Sequence, residues 1–241
     1  AIFVYLESLH RPQEFLKTAS RVTRHKPVIM LKGGTTAEGA KAALSHTASL
    51  STDDRVLDGA LKQVGIVRIN EFTHLFTAAK AAAMMPVPAG NRVGFVSPSG
   101  AFIVHLSDIC RRQTILEFSR IEAKTQTRLE EISPPFINIT NPVDIFPSAT
   151  VHGMELAWRE SMRALLLDPN VDAVVSILIL ADELGTMKLD FILELADQFP
   201  NKPILISFSG DEVSNVEAKR YLEPNGVPTY PRIEDPFKVL D

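Results

Sequence analysis

The sequence predicts an α/β protein built on parallel sheets. Short apolar runs alternate along the chain with longer segments whose apolar residues recur at helical spacing. The short runs are almost continuous in Val, Ile, Leu and Phe, which is typical of strands buried on both faces of a parallel sheet. The chain has 241 residues, of which 45% are hydrophobic, so it can bury a substantial core. At roughly 150 residues per domain, two domains are expected.

The apolar runs define the strands, and the segments between them define the helices. The predicted strands are "AIFVYLE" from Ala1, "PVIML" from Pro27, "GIVRI" from Gly65, "RVGFVS" from Arg92, "DAVVSILIL" from Asp172 and "KPILISFS" from Lys202. The segments "PQEFLKTASRVTRH" and "MKLDFILELADQF" are predicted helices, and the second places Leu189, Ile192, Leu193 and Ala196 on one face. A similar core-facing stripe contains Trp158, Met162, Leu165 and Leu166.

A domain boundary is expected in "MMPVPAGN", Met84 to Asn91. Two prolines and a glycine follow an alanine-rich helix there, and such residues end helices. The predicted domains are therefore 1–88 and 89–241.

Composition excludes several classes of function. The net charge of -4 and the lack of any Lys/Arg run give no electrostatic basis for binding nucleic acid or an anionic membrane. No stretch of about 18 apolar residues is present to span a membrane, and the first residues do not resemble a signal peptide. The single cysteine, Cys110, rules out an internal disulfide framework and a cysteine-based metal cluster, and fits a reducing cytoplasm.

The two halves of the chain share a weak internal repeat. "IFVYLE", "HKPVIMLKGG", "VGIVRI" and "EFTHLFTAAK" in the first half correspond to "VVSILIL", "NKPILISFSG", "NGVPTY" and "EDPFKVL" in the second. Lys26 and Gly65 are 39 positions apart, whereas Lys202 and Gly226 are 24 apart, so the first half carries 15 extra residues. This insertion is the small-residue stretch "GGTTAEGAKAALSHTASLS", which we expect to be a flexible functional loop.

The repeat also predicts a missing part of the first domain. The second half opens with two units, "NRVGFVSPSGAF" and "NPVDIF", that have no counterpart before Ala1. We expect the chain to begin inside a domain whose first strands and helices lie upstream or come from another chain.

Four groups of residues are candidates for chemistry. Glu7, Gly33-Gly34 and Ser99-Gly100 follow predicted strands, and ligands of parallel α/β sheets bind beyond the carboxyl ends of strands. His46 lies in the insertion. Three of these groups also have a structural interpretation: Glu7 as a solvated carboxylate, His46 as a polar-loop or helix-end residue, and "SPSGAF" as a common turn before a helix.

Together these residues favour phosphoryl transfer. Neutral histidine is a nucleophile, and a carboxylate on its other ring nitrogen fixes the tautomer and stabilises positive charge on the ring. The small residues, Gly33 and Gly34 among them, allow backbone amides to approach a phosphate, and the helix N-terminus at Ser99-Gly100 suits an anion.

The stretches "IFVYLES", "KPVIMLKGGTTAEGAKAALSHTASLS" and "NPVD" from Asn141 resemble ADP-forming (NDP-forming) acyl-CoA synthetases, relatives of succinyl-CoA synthetase. The resemblance covers essentially the whole chain. It implies two flavodoxin-like, succinyl-CoA synthetase-like domains, the first lacking its N-terminal elements. It also implies the reversible conversion of acyl-CoA, ADP and phosphate to carboxylate, CoA and ATP, through an acyl phosphate and a phosphohistidine.

The resemblance also implies roles for individual residues. His46 matches the phosphorylated histidine, Glu7 matches the glutamate that contacts it, and Ser99-Gly100 match a helix start that cradles the phosphate. The chain departs from the family pattern at Ala101, Phe102 and Ala48, where many relatives have glycine or proline. These departures weaken the case for phosphate binding at Gly100 more than the case for His46.

Further modules are implied as partners. Relatives contain a CoA-binding domain and an ATP-grasp domain on the same or a partner chain, so CoA, ATP or ADP, and Mg²⁺ are expected in the complete enzyme, and this chain alone is expected to be inactive. Exposed sheet edges left by the missing unit could also drive dimerisation. The alternatives are a noncatalytic module that senses CoA or nucleotide for a fused enzyme, and, with no supporting motif, a flavodoxin-type cofactor binder.

The remaining polar candidates receive structural roles. These are His10, His25, His74, His105 and His152, which lack ligand spacing, and Asp144, which fits a turn or cap as well as a site.

Overall fold

The computed structural model describes residues 1–47, 53–135, 137–180 and 188–241, without the side chains at positions 46 and 47. The chain divides into two compact units, Ala1–Ala83 and Met84–Asp241. The division lies at the beginning of the proline-containing stretch that the sequence singles out, slightly before residue 88.

The first unit contains a three-stranded parallel sheet in the order β1-β2-β3. Its elements are β1 (Ile2–Leu6), α1 (Pro12–Val22), β2 (Val28–Lys32), α2 (Ala37–Thr47), α3 (Asp54–Gln63), β3 (Val67–Ile69) and α4 (Phe72–Met84), the last of which ends at the first residue of the second unit. The central strand β2 is buried along its whole length, as its continuous apolar sequence predicts. One face of the sheet packs on α1 and α3 through Met30, Leu57 and Leu61.

The predicted loop in the insertion is wrong over residues 37–47, where the structure contains helix α2. The sequence "AEGAKAAL" is rich in alanine, the strongest helix former, and its single glycine, Gly39, does not end the helix. The structure therefore agrees with the alternative that His46 lies near the end of a helix.

The second unit contains a six-stranded parallel sheet. Its elements are β4 (Arg92–Ser97), α5 (Gly100–Gln113), β5 (Glu117–Phe118), α6 (Ala123–Glu131), β6 (Val143–Asp144), α7 (Phe146–His152), α8 (Met154–Leu167), β7 (Ala173–Leu180), α9 (Asp190–Gln198), β8 (Ile204–Gly210), α10 (Glu212–Leu222), β9 (Thr229–Tyr230) and α11 (Asp235–Leu240). The strand order is β5-β4-β7-β8-β9, with β6 also paired to β4.

Helices cover both faces of this sheet. The larger buried cluster contains the predicted stripe of α8, with Trp158, Met162, Leu165 and Leu166 all buried, and part of the predicted face of α9. The smaller cluster joins α5 and α11 to the other face through Leu106, Cys110 and Phe237. Both predicted amphipathic stripes are confirmed.

The internal repeat is present in three dimensions. Strands β1-β2-β3 and β7-β8-β9 have the same order and are all parallel. Ile2 pairs with Val28 in the first sheet, and Val174 pairs with Ile204 in the second. The N–H of Ile2 donates to Pro27, and the N–H of Val174 donates to Pro203 in the same way. The two half-sheets can therefore be compared position by position.

Candidate functional site

Glu7 follows β1 at the carboxyl edge of the first sheet, as predicted. Its carboxylate accepts a hydrogen bond from the Tyr5 hydroxyl, with 3.0 Å between Tyr5 Oη and Glu7 Oε1. The Tyr5 ring lies against Phe72, with centroids 5.4 Å apart. The hydrogen bond to Glu7 is the main cause of a raised pKa at Tyr5, so Tyr5 stays protonated as the donor. The carboxylate is thus oriented at the sheet edge.

Gly33 and Gly34 form the turn that leads from β2 into α2. A Cβ on Gly33 would lie 2.8 Å from the Tyr5 hydroxyl and 3.4 Å from Glu7 Cγ, so only glycine fits this position without displacing them. Gly34 has φ +69°, in the left-handed region, and packs against Ala43 of α2. The N–H of Gly33 donates to Leu6 across the sheet. Gly33 thus lies close to Glu7 and Gly34 lies close to α2, while the Gly33 amide already has a partner.

His46 is the next-to-last residue of α2. Its side chain lies outside the described residues, as do positions 48–52. The structure therefore places the backbone of His46 on the helix that starts from the glycine turn, and the predicted contact between Glu7 and the imidazole stays a prediction.

Two basic residues of this sheet received no role in the sequence analysis. Lys32 ends β2 and is buried, and its ammonium donates to the backbone oxygens of Glu7 and Gly33. Arg68 lies in β3, and its guanidinium binds the carboxylate of Asp54. The sequence feature that could have revealed them is a charged residue within or at the end of an otherwise apolar strand, since buried Lys and Arg are rare unless paired.

Ser99 and Gly100 belong to the second unit, at the start of α5. Ser99 is the N-cap of this helix, and its side chain does not cap it by a hydrogen bond. The carboxylate of Asp144 lies beside Gly100, with Oδ2 3.6 Å from where a Cβ on Gly100 would be. Asp144 also accepts a hydrogen bond from the N–H of Phe146 at 3.0 Å. Asp144 therefore has a turn role and lies next to the predicted phosphate site, where its charge would oppose an anion.

Other features of the described chain belong to the second unit. His105 is in α5 and faces Glu234 at 3.4 Å, and His152 ends α7. A cavity of about 180 Å³ lies at the amino ends of β8 and β9, opposite the predicted edge of that sheet, and is lined by residues such as Phe199, Lys202 and Pro228.

Among the described residues, no three His, Cys, Asp or Glu side chains are grouped so that they could hold a metal ion. None of the helices in the described ranges has the length and apolar content that a membrane crossing requires.

Comparison with known proteins tests the resemblance. Residues 1–82 match the family model for the succinyl-CoA ligase like flavodoxin domain. The chain is 35% identical over 239 residues to acetate-CoA ligase (ADP-forming) II subunit alpha of Pyrococcus furiosus, a match that covers 98% of this chain. Over nearly its whole length, the chain is similar to acetate-CoA ligases that form ADP. It is also 31% identical over 241 residues to acetate-CoA ligase (ADP-forming) II of Archaeoglobus fulgidus.

A solved structure of the same kind of synthetase has the same fold. The dinucleotide forming acetyl-coenzyme A synthetase 1 of Ca. Korarchaeum cryptofilum, in complex with phosphate and ADP, matches 99% of this chain with a TM-score of 0.85 and 25% identity. The predicted pair of flavodoxin-like α/β domains is thereby confirmed. This chain spans 51% of that protein, 51% of the Pyrococcus relative and 35% of the Archaeoglobus relative.

Proposed function

We propose that this chain is the part of an ADP-forming acyl-CoA synthetase that carries its phosphohistidine, His46. The observation that carries the proposal is similarity over nearly the whole chain to acetate-CoA ligases that form ADP. In the first step of the reaction, phosphate displaces CoA from acyl-CoA to give an acyl phosphate. His46 then takes the phosphoryl group and releases the carboxylate. ADP finally removes the phosphoryl group from His46 to form ATP.

The candidate residues of the two units have distinct roles in this proposal. Glu7, oriented by Tyr5, accepts the N–H of the imidazole and stabilises the positive charge that develops as the other nitrogen attacks phosphorus. Gly33 and Gly34 act through the close approach of α2 that they permit. Ser99 and Gly100 hold the phosphate at the N-terminal end of α5, where the first-turn amides and the helix dipole favour an anion. The neighbouring Asp144 would limit that affinity.

The complete enzyme needs further parts. We assign CoA binding to a CoA-binding domain, and binding of ATP or ADP with Mg²⁺ to an ATP-grasp domain, on the same or a partner chain. The unpaired edge of β1 is available to a strand of such a domain or to a second copy of this chain, since β1 pairs only with β2 in the described residues. The single cysteine favours the cytoplasm as the compartment.

Mass spectrometry of the complete enzyme tests the proposal. The enzyme is incubated with Mg-ATP and kept at alkaline pH, which preserves a phosphorus-nitrogen bond. One added phosphoryl group on the peptide that contains His46, removed on addition of ADP, is the expected result. No phosphorylation in a preparation that binds ATP would contradict the proposal and favour a noncatalytic sensing module.

A further inference from the structure

A buried lysine and a half-buried arginine lie on neighbouring strands of the first sheet, one before and one after α2 in the sequence. Lys32 is 6% exposed at the end of β2, before α2 begins. The side chain of Arg68 is 12% exposed in β3, after α3 ends. Burying a charge is costly unless hydrogen bonds and opposite charges compensate, so the contacts of these two residues need an explanation.

Lys32 binds the glycine turn that precedes α2. Its ammonium donates to the Glu7 backbone oxygen at 2.6 Å and also to the backbone oxygen of Gly33. One side chain therefore ties the residue that carries the proposed catalytic carboxylate to the first residue of the glycine turn. Burial lowers the pKa of this ammonium, because desolvation disfavours its charged form.

Arg68 fixes the start of the next described helix, α3. One guanidinium nitrogen lies 2.8 Å from both carboxylate oxygens of Asp54, and the other lies 3.6 Å from Asp58. Asp54 is the first residue of α3, and the side chain of the N-cap Asp53 accepts from the N–H of Arg55 at 2.9 Å. The first turn of α3 is thereby tied to β3.

The internal repeat shows that the fold does not require these charges. The pairing register makes Lys32 equivalent to Phe208, and Arg68 equivalent to Thr229. By the same register, Glu7 is equivalent to Ile179. The second half-sheet has the same topology with apolar or neutral residues at all three positions, and it lacks the 15-residue insertion. Of the two half-sheets, the one with the insertion is therefore the one with charged residues at these three positions.

We propose that Lys32 and Arg68 are positioning residues for His46. Lys32 holds the turn before α2 against Glu7, and Arg68 holds the first turn of α3 against β3. The proposal rests on the function proposed for His46. It assigns no contact with the transferred phosphoryl group to either residue. Their effect is to restrict where the imidazole can be when it meets Glu7 and the phosphate, which is how positioning contributes to rate.

The test uses the complete enzyme with the variants Lys32→Met, Arg68→Met and Arg68→Lys. The repeat accommodates Phe208 at the position of Lys32, so Lys32→Met is expected to fold. Arg112→Gln is the matched control, because Arg112 forms an exposed ion pair with Asp108 in the second unit. Two quantities are measured: the single-turnover rate of His46 phosphorylation, and hydrogen exchange of the α2 amides.

We expect both Met variants to lower the phosphorylation rate at least tenfold and to raise amide exchange in α2, with the KM for ATP unchanged. Arg68→Lys should recover part of the rate, and Arg112→Gln should match the wild type in both measurements. Asp54→Asn combined with Arg68→Met should be no slower than Arg68→Met alone, because both changes break the same contact.

Wild-type rates and wild-type α2 exchange in folded Met variants would overturn the proposal. A loss of rate that only follows the loss of folded protein, measured by thermal unfolding, would also overturn it. Absence of His46 phosphorylation in the wild type would refute the proposed function instead. In that case the exchange measurement still decides whether Lys32 and Arg68 fix α2.

Discussion

Glu7 differs from an ordinary surface carboxylate because three neighbours determine its position. Tyr5 donates to its carboxylate, Lys32 binds its backbone oxygen, and Gly33 leaves room for its side chain. The sequence could place Glu7 at a strand end from the apolar run before it. The contact with Tyr5 joins residues two apart, which lie on the same face of a strand, so strand periodicity is compatible with it. The sequence could not reveal the contact with Lys32, because that contact depends on the pairing of β1 with β2.

The first prediction concerns the two proposed catalytic residues. His46→Ala should abolish phosphorylation, because no other nucleophile replaces the imidazole. Glu7→Gln should slow phosphorylation about 10²-fold or more, because the amide keeps the shape but loses the charge that stabilises the ring. Peptide mass spectrometry over a time course measures both effects. Glu14→Gln is the control, since Glu14 pairs only with exposed Arg11; full phosphoryl incorporation in the His46 variant would refute the assignment.

A second prediction concerns Gly33. Gly33→Ala places a methyl group 2.8 Å from the Tyr5 hydroxyl, so Tyr5 must move and its hydrogen bond to Glu7 is lost. We expect phosphorylation to slow about tenfold, as for other losses of a well-placed hydrogen bond. Gly59→Ala is the control: it lies in α3 with open space around it and should stabilise the protein by about 0.5–1 kcal/mol. Equal rates for the two variants would contradict the role given to Gly33.

At the scale of helices and strands, sequence reasoning succeeded where the signal is local. The long buried strands and the α8 and α9 stripes follow from periodicity, and α2 could have been predicted from alanine content alone. The two-residue strands β5 and β6 could not be predicted. They share one edge of β4, and the side chain of Asn141 lies on that edge, accepting from Phe95 N–H and donating to the Val93 oxygen. No local pattern encodes that arrangement.

A third prediction concerns the ion pair that joins β4 to β7. Asp172 accepts hydrogen bonds from the backbone and side-chain nitrogens of Arg92 at 2.7 to 3.0 Å, and its side chain is 5% exposed. Asp172→Asn should destabilise the second unit by about 3 kcal/mol. This value is near the lower end of the range observed when one partner of a buried ion pair is removed, because Arg92 is partly exposed. Urea unfolding followed by fluorescence measures this. Asp108→Asn, in an exposed pair, should cost less than about 1 kcal/mol.

The same ion pair gives a pH dependence with a defined sign. Hydrogen bonds from Arg92 lower the pKa of Asp172 below its ordinary value of 3.8, so near and below that value the unfolded chain binds more protons than the folded one. The stabilisation is therefore complete above pH 3.8 and is lost as pH falls through the lowered pKa. The difference in free energy of unfolding between wild type and Asp172→Asn should become smaller in that acid range. A difference that stays constant there would contradict the sign.

At the scale of the whole molecule, the internal repeat was the most informative feature of the sequence. It predicted two half-sheets of equal topology and located the insertion in one of them. The repeat could not predict how much core each unit has. Among the described residues, the first unit has one buried cluster of six residues, whereas the second has clusters of 24 and 10. The free energy of unfolding should therefore differ between the units, since buried apolar area is the main stabilising contribution.

The last prediction is that the two units unfold at different urea concentrations. Trp158 is the one tryptophan of the sequence and is buried in the second unit, so its fluorescence reports that unit alone. Far-ultraviolet circular dichroism reports helices of both units. The circular dichroism should begin to change at lower urea than the fluorescence, because the unit with the smaller core unfolds first. Coincident curves would show one cooperative structure, in which the first unit gains stability that its own core does not supply.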